Sequence, residues 1–330
     1  MTKIAMLQGM QMTRRVFSEQ VLEEIRSLGT LVINTAEGSP KPDLVAELIE
    51  GADIAITSWG VPALDKAILD RAPNLRYITH AAGTVKGMVT PEVAARGIRV
   101  SSANDALGQG VAETALGLTI VSLKGIWSLS QDTRAGLWSE GKQRVKELYE
   151  IKIGIIGAGK AGQHFIRLLR NFDVDILVYD PVQTDEQVKA MGATRVSLEQ
   201  LMKESDVVSI HAPSIPATYK MINGSNLPLL KDGAIFINTA RGKIVDEEAL
   251  AAELHTGRIW ACIDVTDPEP PAKDHPFRNL PNVILSPHLA GQTNNGRLRC
   301  GKYAVDELKE YLRGEPLDGE VNLKNLDILA

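Results

Sequence analysis

Only two cysteines, Cys262 and Cys300, occur in the 330 residues. Two thiols without paired spacing exclude a disulfide framework and give no cysteine metal centre, so no metal site is expected. Cys262 lies inside the apolar run WACIDV, where it reads as a small buried hydrophobe. A reducing, cytoplasmic compartment is the matching expectation. Positive charge is not in excess: the net charge is −5 and no basic stripe stands out, so nucleic acid is not an expected partner. No apolar run approaches the ~18 residues of a membrane span. The N-terminus, MTKIAMLQGMQMTRR, lacks a long apolar stretch and a small-residue cleavage site, and reads as a first strand rather than a leader. What remains is 44% hydrophobic and 23% charged residues, a soluble globular composition with length for two cores.

Short apolar runs alternate with amphipathic stretches through the first hundred residues. Strands are expected at Ile4–Leu7, Leu31–Ile33, Ile54–Thr57, Leu75–Thr79 and Ile98–Val100, with helices at Glu19–Leu28, Asp43–Glu50 and Pro62–Arg71. That alternation predicts a parallel sheet covered on both faces. A long apolar helix follows from about Gly110 to Gly125, then a polar extension with two tryptophans and no clear strand. From Lys152 the alternation resumes. Strands are expected at Lys152–Gly157, Ile176–Tyr179, Val207–Ile210, Ala234–Asn238, Trp260–Val265 and Val283–Leu285, joined by helices including Ala161–Asn171, Leu198–Lys203 and Glu247–Thr256. Six strands with intervening helices fit a doubly wound sheet. A last helix, from about Asn294 to Leu312, has no strand of its own to cover, and its return to the first domain would make that domain discontinuous.

The strongest local motif is IKIGIIGAGKAGQHFIRLLRNFDVDILVYDP. Gly157, Gly159 and Gly162 form G-x-G-x-x-G after an apolar strand and at the opening of a helix that starts with Lys160 and Ala161. The first glycine allows the tight turn, the second a close approach of backbone to a pyrophosphate, the third close helix–strand packing. Asp180 ends the next strand, 18 residues beyond Gly162, where a carboxylate accepts from ribose hydroxyls. It would repel a 2′-phosphate, and the following PVQTDEQ holds no arginine or lysine. NAD is therefore the expected cofactor rather than NADP.

Reducing a 2-oxo acid takes a cation for the carboxylate and carbonyl, an acid for the oxygen, and a partner that orients the acid. Arginine, histidine and a carboxylate suit these tasks. The second half offers one of each beyond a strand end: Arg241 after AIFINTA, Glu269 in DVTDPEPP, and His288 after VILSP.

The blocks INTARGKIVDEEAL, CIDVTDPEP and LPNVILSPHLAGQT resemble the signature stretches of the D-isomer-specific 2-hydroxyacid dehydrogenases. SDVVSIHAPS and GVAETALGL are similar to two more. The resemblance runs from about Leu75 to Thr293. It implies an α/β protein of two doubly wound parallel-sheet domains, with a Rossmann NAD-binding domain (104–289) inserted in a flavodoxin-like substrate domain (1–103 plus 290–330). It implies NAD-dependent hydride transfer at the alpha carbon of a D-2-hydroxy or 2-oxo acid. Arg241 then binds the substrate carboxylate and carbonyl, His288 is the acid/base, Glu269 pairs with it, and Asp264 contacts the nicotinamide carboxamide. Thr239 and Ala240, with Arg241 and His288, belong to the expected cofactor wall. A homodimer built on residues from about 126 to 150 is implied as well.

The first-domain loop departs from the family, reading HAAGTVKGMVTPEV in place of a GVDNID-like stretch. Ala82, Gly83 and Thr84 remain able to offer amides to a substrate carboxylate. Lys86 either meets a second acidic group on the substrate or is a solvated lysine. Trp59 either limits side-chain size or packs its loop, and Trp138 either reaches across a dimer or is buried under its own chain. His211 reads as structural or near the adenine. The regulatory module of long phosphoglycerate dehydrogenases is not expected, and Glu269 argues against the formate-oxidising branch. Alternatives are a phosphite-type dehydrogenase and an NAD-binding corepressor-like scaffold.

Overall fold

The computed structural model describes residues 1–138, 141–291 and 293–324. Positions 139–140, within the expected dimer segment, and 292 and 325–330, within the expected first domain, lie outside the described residues. The chain divides into two compact units, Met1–Leu107 with Gln292–Ala330, and Gly108–Gly291. The crossings expected at 103/104 and 289/290 fall at 107/108 and 291/292.

The first unit is built on β1 (Lys3–Met6), β2 (Thr30–Ile33), β3 (Ile54–Thr57), β4 (Tyr77–His80) and β5 (Arg99–Ser102), all parallel in the order β2-β1-β3-β4-β5. This is the flavodoxin-like order. β3 and β4 are buried along their whole length, as apolar runs covered on both faces must be. The helix Asn294–Arg313 closes one face: Ala304, Val305 and Leu308 join Ile4, Met6, Ile54, Ile56 and Tyr77 in one core cluster. Gly301 permits this, since a Cβ there would lie 2.0 Å from the Val16 carbonyl oxygen. The stretch read as part of a first strand splits into β1 and the helix Met10–Val16. Of the expected helix Pro62–Arg71, only Lys66–Leu69 is helical, opened by Asp65 accepting from the Ile68 amide.

The second unit carries β6 (Tyr149–Ile156), β7 (Asp173–Tyr179), β8 (Thr194–Arg195), β9 (Val207–Ile210), β10 (Ile235–Asn238), β11 (Trp260–Ile263) and β12 (Val283–Leu285). They are parallel in the order β12-β11-β10-β9-β6-β7-β8, the Rossmann arrangement with its direction switch between β6 and β9. The sheet has one strand more than expected, because β8 is only two residues long and carries no apolar run. Apolar side chains cover both faces, with Phe236 and Phe277 in one cluster and Phe165, Ile153 and Cys262 in the other. The helix Asn104–Leu123 is long and apolar enough to match a membrane span, contrary to expectation, yet Ala112, Ala115 and Leu123 are buried in the second unit's core.

Candidate functional site

Gly157 directly follows β6 with φ 93°, in the left-handed region that favours glycine. A Cβ there would stand 2.6 Å from the Ala212 amide nitrogen, and one on Gly162 2.2 Å from the Gly157 carbonyl oxygen. Both positions are closed to any side chain, whereas the space in front of Gly159 is open. The helix Lys160–Leu169 starts immediately afterwards. Among the described residues, no acceptor meets the amides of Gly159 or Ala161. Unmet donors at a helix start form a cradle for anionic oxygen. These features fit a dinucleotide pyrophosphate.

Asp180 follows β7 and is nearly buried. Its Oδ2 accepts from the Ala158 amide at 2.7 Å, and Oδ1 from Val182 and Gln183 at 2.8 and 3.2 Å. The carboxylate thus ties the glycine loop to the end of β7 and keeps acceptor capacity on Oδ2. Arg195, on the unforeseen β8, reaches the same point: its Nε donates to the Asp180 carbonyl at 3.3 Å.

His211 lies beneath the glycine loop, stacked obliquely on Phe165, with Nε2 2.9 Å from Ser209 Oγ. Burial pushes its pKa down to about 4, so it is neutral near pH 7. Its Nδ1 and the Thr239 Oγ1 are buried and lack partners among the described residues. An orphaned hydroxyl beyond β10 is a feature that a bound ligand would satisfy. Ala240 is buried beside it.

The remaining groups follow β10, β11 and β12. His288 Nδ1 lies 2.7 Å from Glu269 Oε2, both half-exposed. The Glu269 charge also acts on Arg241, whose pKa is pushed down by desolvation and back up by that carboxylate. The guanidinium remains a cation throughout. Arg241 Nη1 donates to its neighbour's carbonyl, Ala240 O, at 2.7 Å. A cavity of about 470 Å³ opens beside Asp264, Thr266, Glu269, Ser286 and His288.

Asp264 is buried and anchors the histidine loop. Its Oδ1 accepts from Ser286 Oγ (2.6 Å) and the Leu289 amide (3.0 Å), its Oδ2 from the Ala290 amide (2.9 Å), and its carbonyl from the His288 amide (2.9 Å). His288 itself sits at φ 49°. The family resemblance gives Asp264 only a carboxamide contact; nothing in its spacing announces the loop.

Sequence reasoning also missed the fastening between the arginine and glutamate loops. A Cβ on Gly242 would come within 2.2 Å of the Thr266 carbonyl carbon. Glu247 Oε1 accepts from the Asp267 amide at 3.1 Å, and Oε2 lies 3.0 Å from His275 Nε2. A glycine directly after Arg241 was the visible signal.

In the first unit, Ala82 and Gly83 are buried beyond β4 and Thr84 is exposed. Among the described residues, no acceptor meets their three amides. His80, buried, holds this turn through Thr57 Oγ1 at 2.9 Å and a hydrogen bond to the Thr84 backbone, and burial pushes its pKa to about 4. Lys86 is exposed. Trp59 packs with Leu107, Tyr303 and Cys300, with the Arg297 guanidinium 5.7 Å from its ring centre. Trp138 is 73% exposed, with Lys142 Nζ 5.1 Å from its ring centre.

The profile of the D-isomer specific 2-hydroxyacid dehydrogenase NAD-binding domain matches residues 116–290, more than half of the chain. The chain belongs to the D-isomer specific 2-hydroxyacid dehydrogenases, and its second unit is their NAD-binding domain. It is 31% identical over 306 residues to the glyoxylate reductase of Korarchaeum cryptofilum, covering 91% of this chain and 92% of that one. It is 31% identical over 309 residues to the D-3-phosphoglycerate dehydrogenase of Methanocaldococcus jannaschii, covering 93% of this chain but 57% of the relative, so it spans little more than half that protein's length. A phosphoglycerate oxidoreductase from Rhizobium etli, 25% identical, superposes with a TM-score of 0.83 over 97% of each chain. The scaffold and phosphite readings gain no support from these relatives.

Proposed function

We propose that the protein is an NAD-dependent oxidoreductase that interconverts a small D-2-hydroxy acid and its 2-oxo acid. The observation that carries this is the Glu269–His288 pair at 2.7 Å, with Arg241 within reach of the same carboxylate's charge, at the C-terminal edge of a sheet with a glycine cradle. In this reading Gly157, Gly159, Lys160, Ala161, Gly162, Asp180, Thr239, Ala240 and Asp264 hold the dinucleotide. The bound nicotinamide supplies the hydride for reduction and accepts it for oxidation. Arg241 holds the substrate carboxylate and polarises the carbonyl with its planar fork. Glu269 fixes the His288 ring through Nδ1, which leaves Nε2 to give its proton to the carbonyl oxygen, or to take one from the hydroxyl. In the first unit, the open amides of Ala82, Gly83 and Thr84 are donors of the kind that suits a carboxylate.

Replacing His288→Asn is expected to lower kcat by roughly 100-fold or more while NADH still binds, since general acid–base groups contribute at that scale. Near-normal turnover would sink the assignment. Arg241→Lys is expected to raise KM and lower kcat together, because an ammonium cannot reproduce the bidentate fork.

We further infer a homodimer through the segment from 126 to 150. Ile126, Trp127, Leu137 and Trp138 are all exposed there, an apolar surface suited to a second copy. A reducing, cytoplasmic setting suits the two free, buried thiols, whose pKa values burial raises to about 11.

A further inference from the structure

Dinucleotide choice depends on the groups around the adenosine ribose, and in the sequence those are Asp180 and the residues directly after it. The fold adds a cation from elsewhere. β8 pairs with β7 in the register Val178↔Arg195, so Arg195 lies level with Val178, two residues before Asp180. It runs to the strand end, where Nε meets the Asp180 carbonyl at 3.3 Å and Nη1 meets Asp185 Oδ1 at 2.9 Å. Among the described residues Nη2 has no acceptor, and the side chain is 38% exposed. The Asp180 carboxylate accepts from Ala158 of the glycine loop and from Val182 and Gln183, and has no bond to Arg195. One strand end therefore carries both a carboxylate and a guanidinium.

We propose that Arg195 is the second determinant of dinucleotide choice, an opposing charge to Asp180 that accepts a 2′-phosphate on the adenosine ribose. The proposal rests on the reading of Gly157–Asp180 as the dinucleotide site. A guanidinium already held by its Nε and Nη1 loses little freedom on meeting phosphate, and its free edge suits bidentate contact. The Asp185 partner is largely exposed, so that ion pair is weak competition. Asp180 disfavours the phosphorylated ribose and Arg195 offsets it, so discrimination against 2′-phosphate is smaller than the carboxylate alone would set.

The test is calorimetric titration of the intact protein with ADP and with 2′,5′-ADP, which needs no turnover. Arg195→Gln is expected to weaken 2′,5′-ADP relative to ADP by about tenfold or more, the scale of a lost charge-assisted hydrogen-bond pair. Lys189→Gln, which removes an exposed charge from the neighbouring helix Asp185–Ala190, is expected to leave that ratio within about twofold. Equal effects of the two substitutions would overturn the proposal while leaving the dinucleotide site intact. Failure of the unsubstituted protein to bind ADP at all would overturn the dinucleotide reading and the proposal with it. A second arm uses Asp180→Asn, checked for folding by its thermal transition: it should gain affinity for 2′,5′-ADP, and Asp180→Asn with Arg195→Gln should lose that gain. Retention of the gain in the double variant would also overturn the role of Arg195.

Discussion

His288 keeps a backbone conformation that costs a residue with a Cβ roughly 1–2 kcal/mol. It is held there by Asp264, whose carboxylate gathers Ser286, Leu289 and Ala290 around the histidine. Asp264→Ala would leave those three donors without an acceptor in a buried place. We expect a loss of about 3 kcal/mol or more in urea unfolding, together with a fall in kcat, because the loop would relax away from its strained turn. Unchanged stability would show that the loop does not depend on this carboxylate. Two other histidines set an acid limit. His80 and His211 have pKa values depressed to about 4 by burial, against about 6.5 when unfolded. Between those values the unfolded chain binds the protons that the native one refuses. Stability is therefore complete above about pH 6.5 and declines as the pH falls towards 4, by up to roughly 3 kcal/mol for each residue. His211→Gln should flatten that decline when urea midpoints are compared between pH 7 and 4.5; an unaltered slope would remove His211 from the account. At this scale Arg241, Glu269 and His288 stood out in sequence because each lies in the loop that follows an apolar run. Arg195 was not, since a two-residue edge strand leaves no apolar pattern to mark it.

Strands and turns bring these residues together through positions where a side chain is forbidden. Gly157 and Gly162 bind the end of β6 to the following helix, and Gly242 lets the arginine loop lie against Thr266. Gly242→Ala places a methyl against backbone atoms that cannot swing aside, so the arginine and glutamate loops must separate. The expected result is a drop in kcat of at least about tenfold with ADP binding retained, since the glycine cradle lies on another strand; small misplacements of reacting groups cost on this order. Loss of both together would mean that the whole sheet had yielded. The apolar strands were readable in sequence because burial on both faces removes polar residues from them. Helix limits were less readable: Asn104–Leu123 begins several residues before its apolar stretch, at polar Asn104 and Asp105, and Pro62–Arg71 shrinks to one turn capped by Asp65. Periodicity marks the buried face of a helix, whereas caps and turns decide its ends.

For the molecule as a whole, the order of the sheets was predictable only through family resemblance, because strand order depends on crossovers rather than on local pattern. The return of the last helix to the first unit was visible as a helix without its own strand. Its packing against Ile4, Ile56 and Tyr77 explains why the first unit is built from both ends of the chain. The exposed Trp127 and Trp138 bear on assembly. If they lie in a dimer interface, Trp127→Glu should shift sedimentation at micromolar concentration from dimer to monomer, as a charge placed in an apolar contact opposes association. A monomer before substitution would contradict the proposed assembly.

The central claim is that these parts form a 2-oxo acid reductase, and the loss of NADH absorbance tests it most directly. The protein would be mixed at neutral pH with NADH and, in turn, glyoxylate, hydroxypyruvate, phosphohydroxypyruvate, pyruvate, 2-oxoisocaproate, phenylpyruvate, oxaloacetate and 2-oxoglutarate. The account predicts oxidation with at least one of them, abolished in His288→Asn, and a diacid or phosphorylated preference would draw Lys86 into substrate recognition. Tight NADH binding without turnover of any of these acids would contradict it.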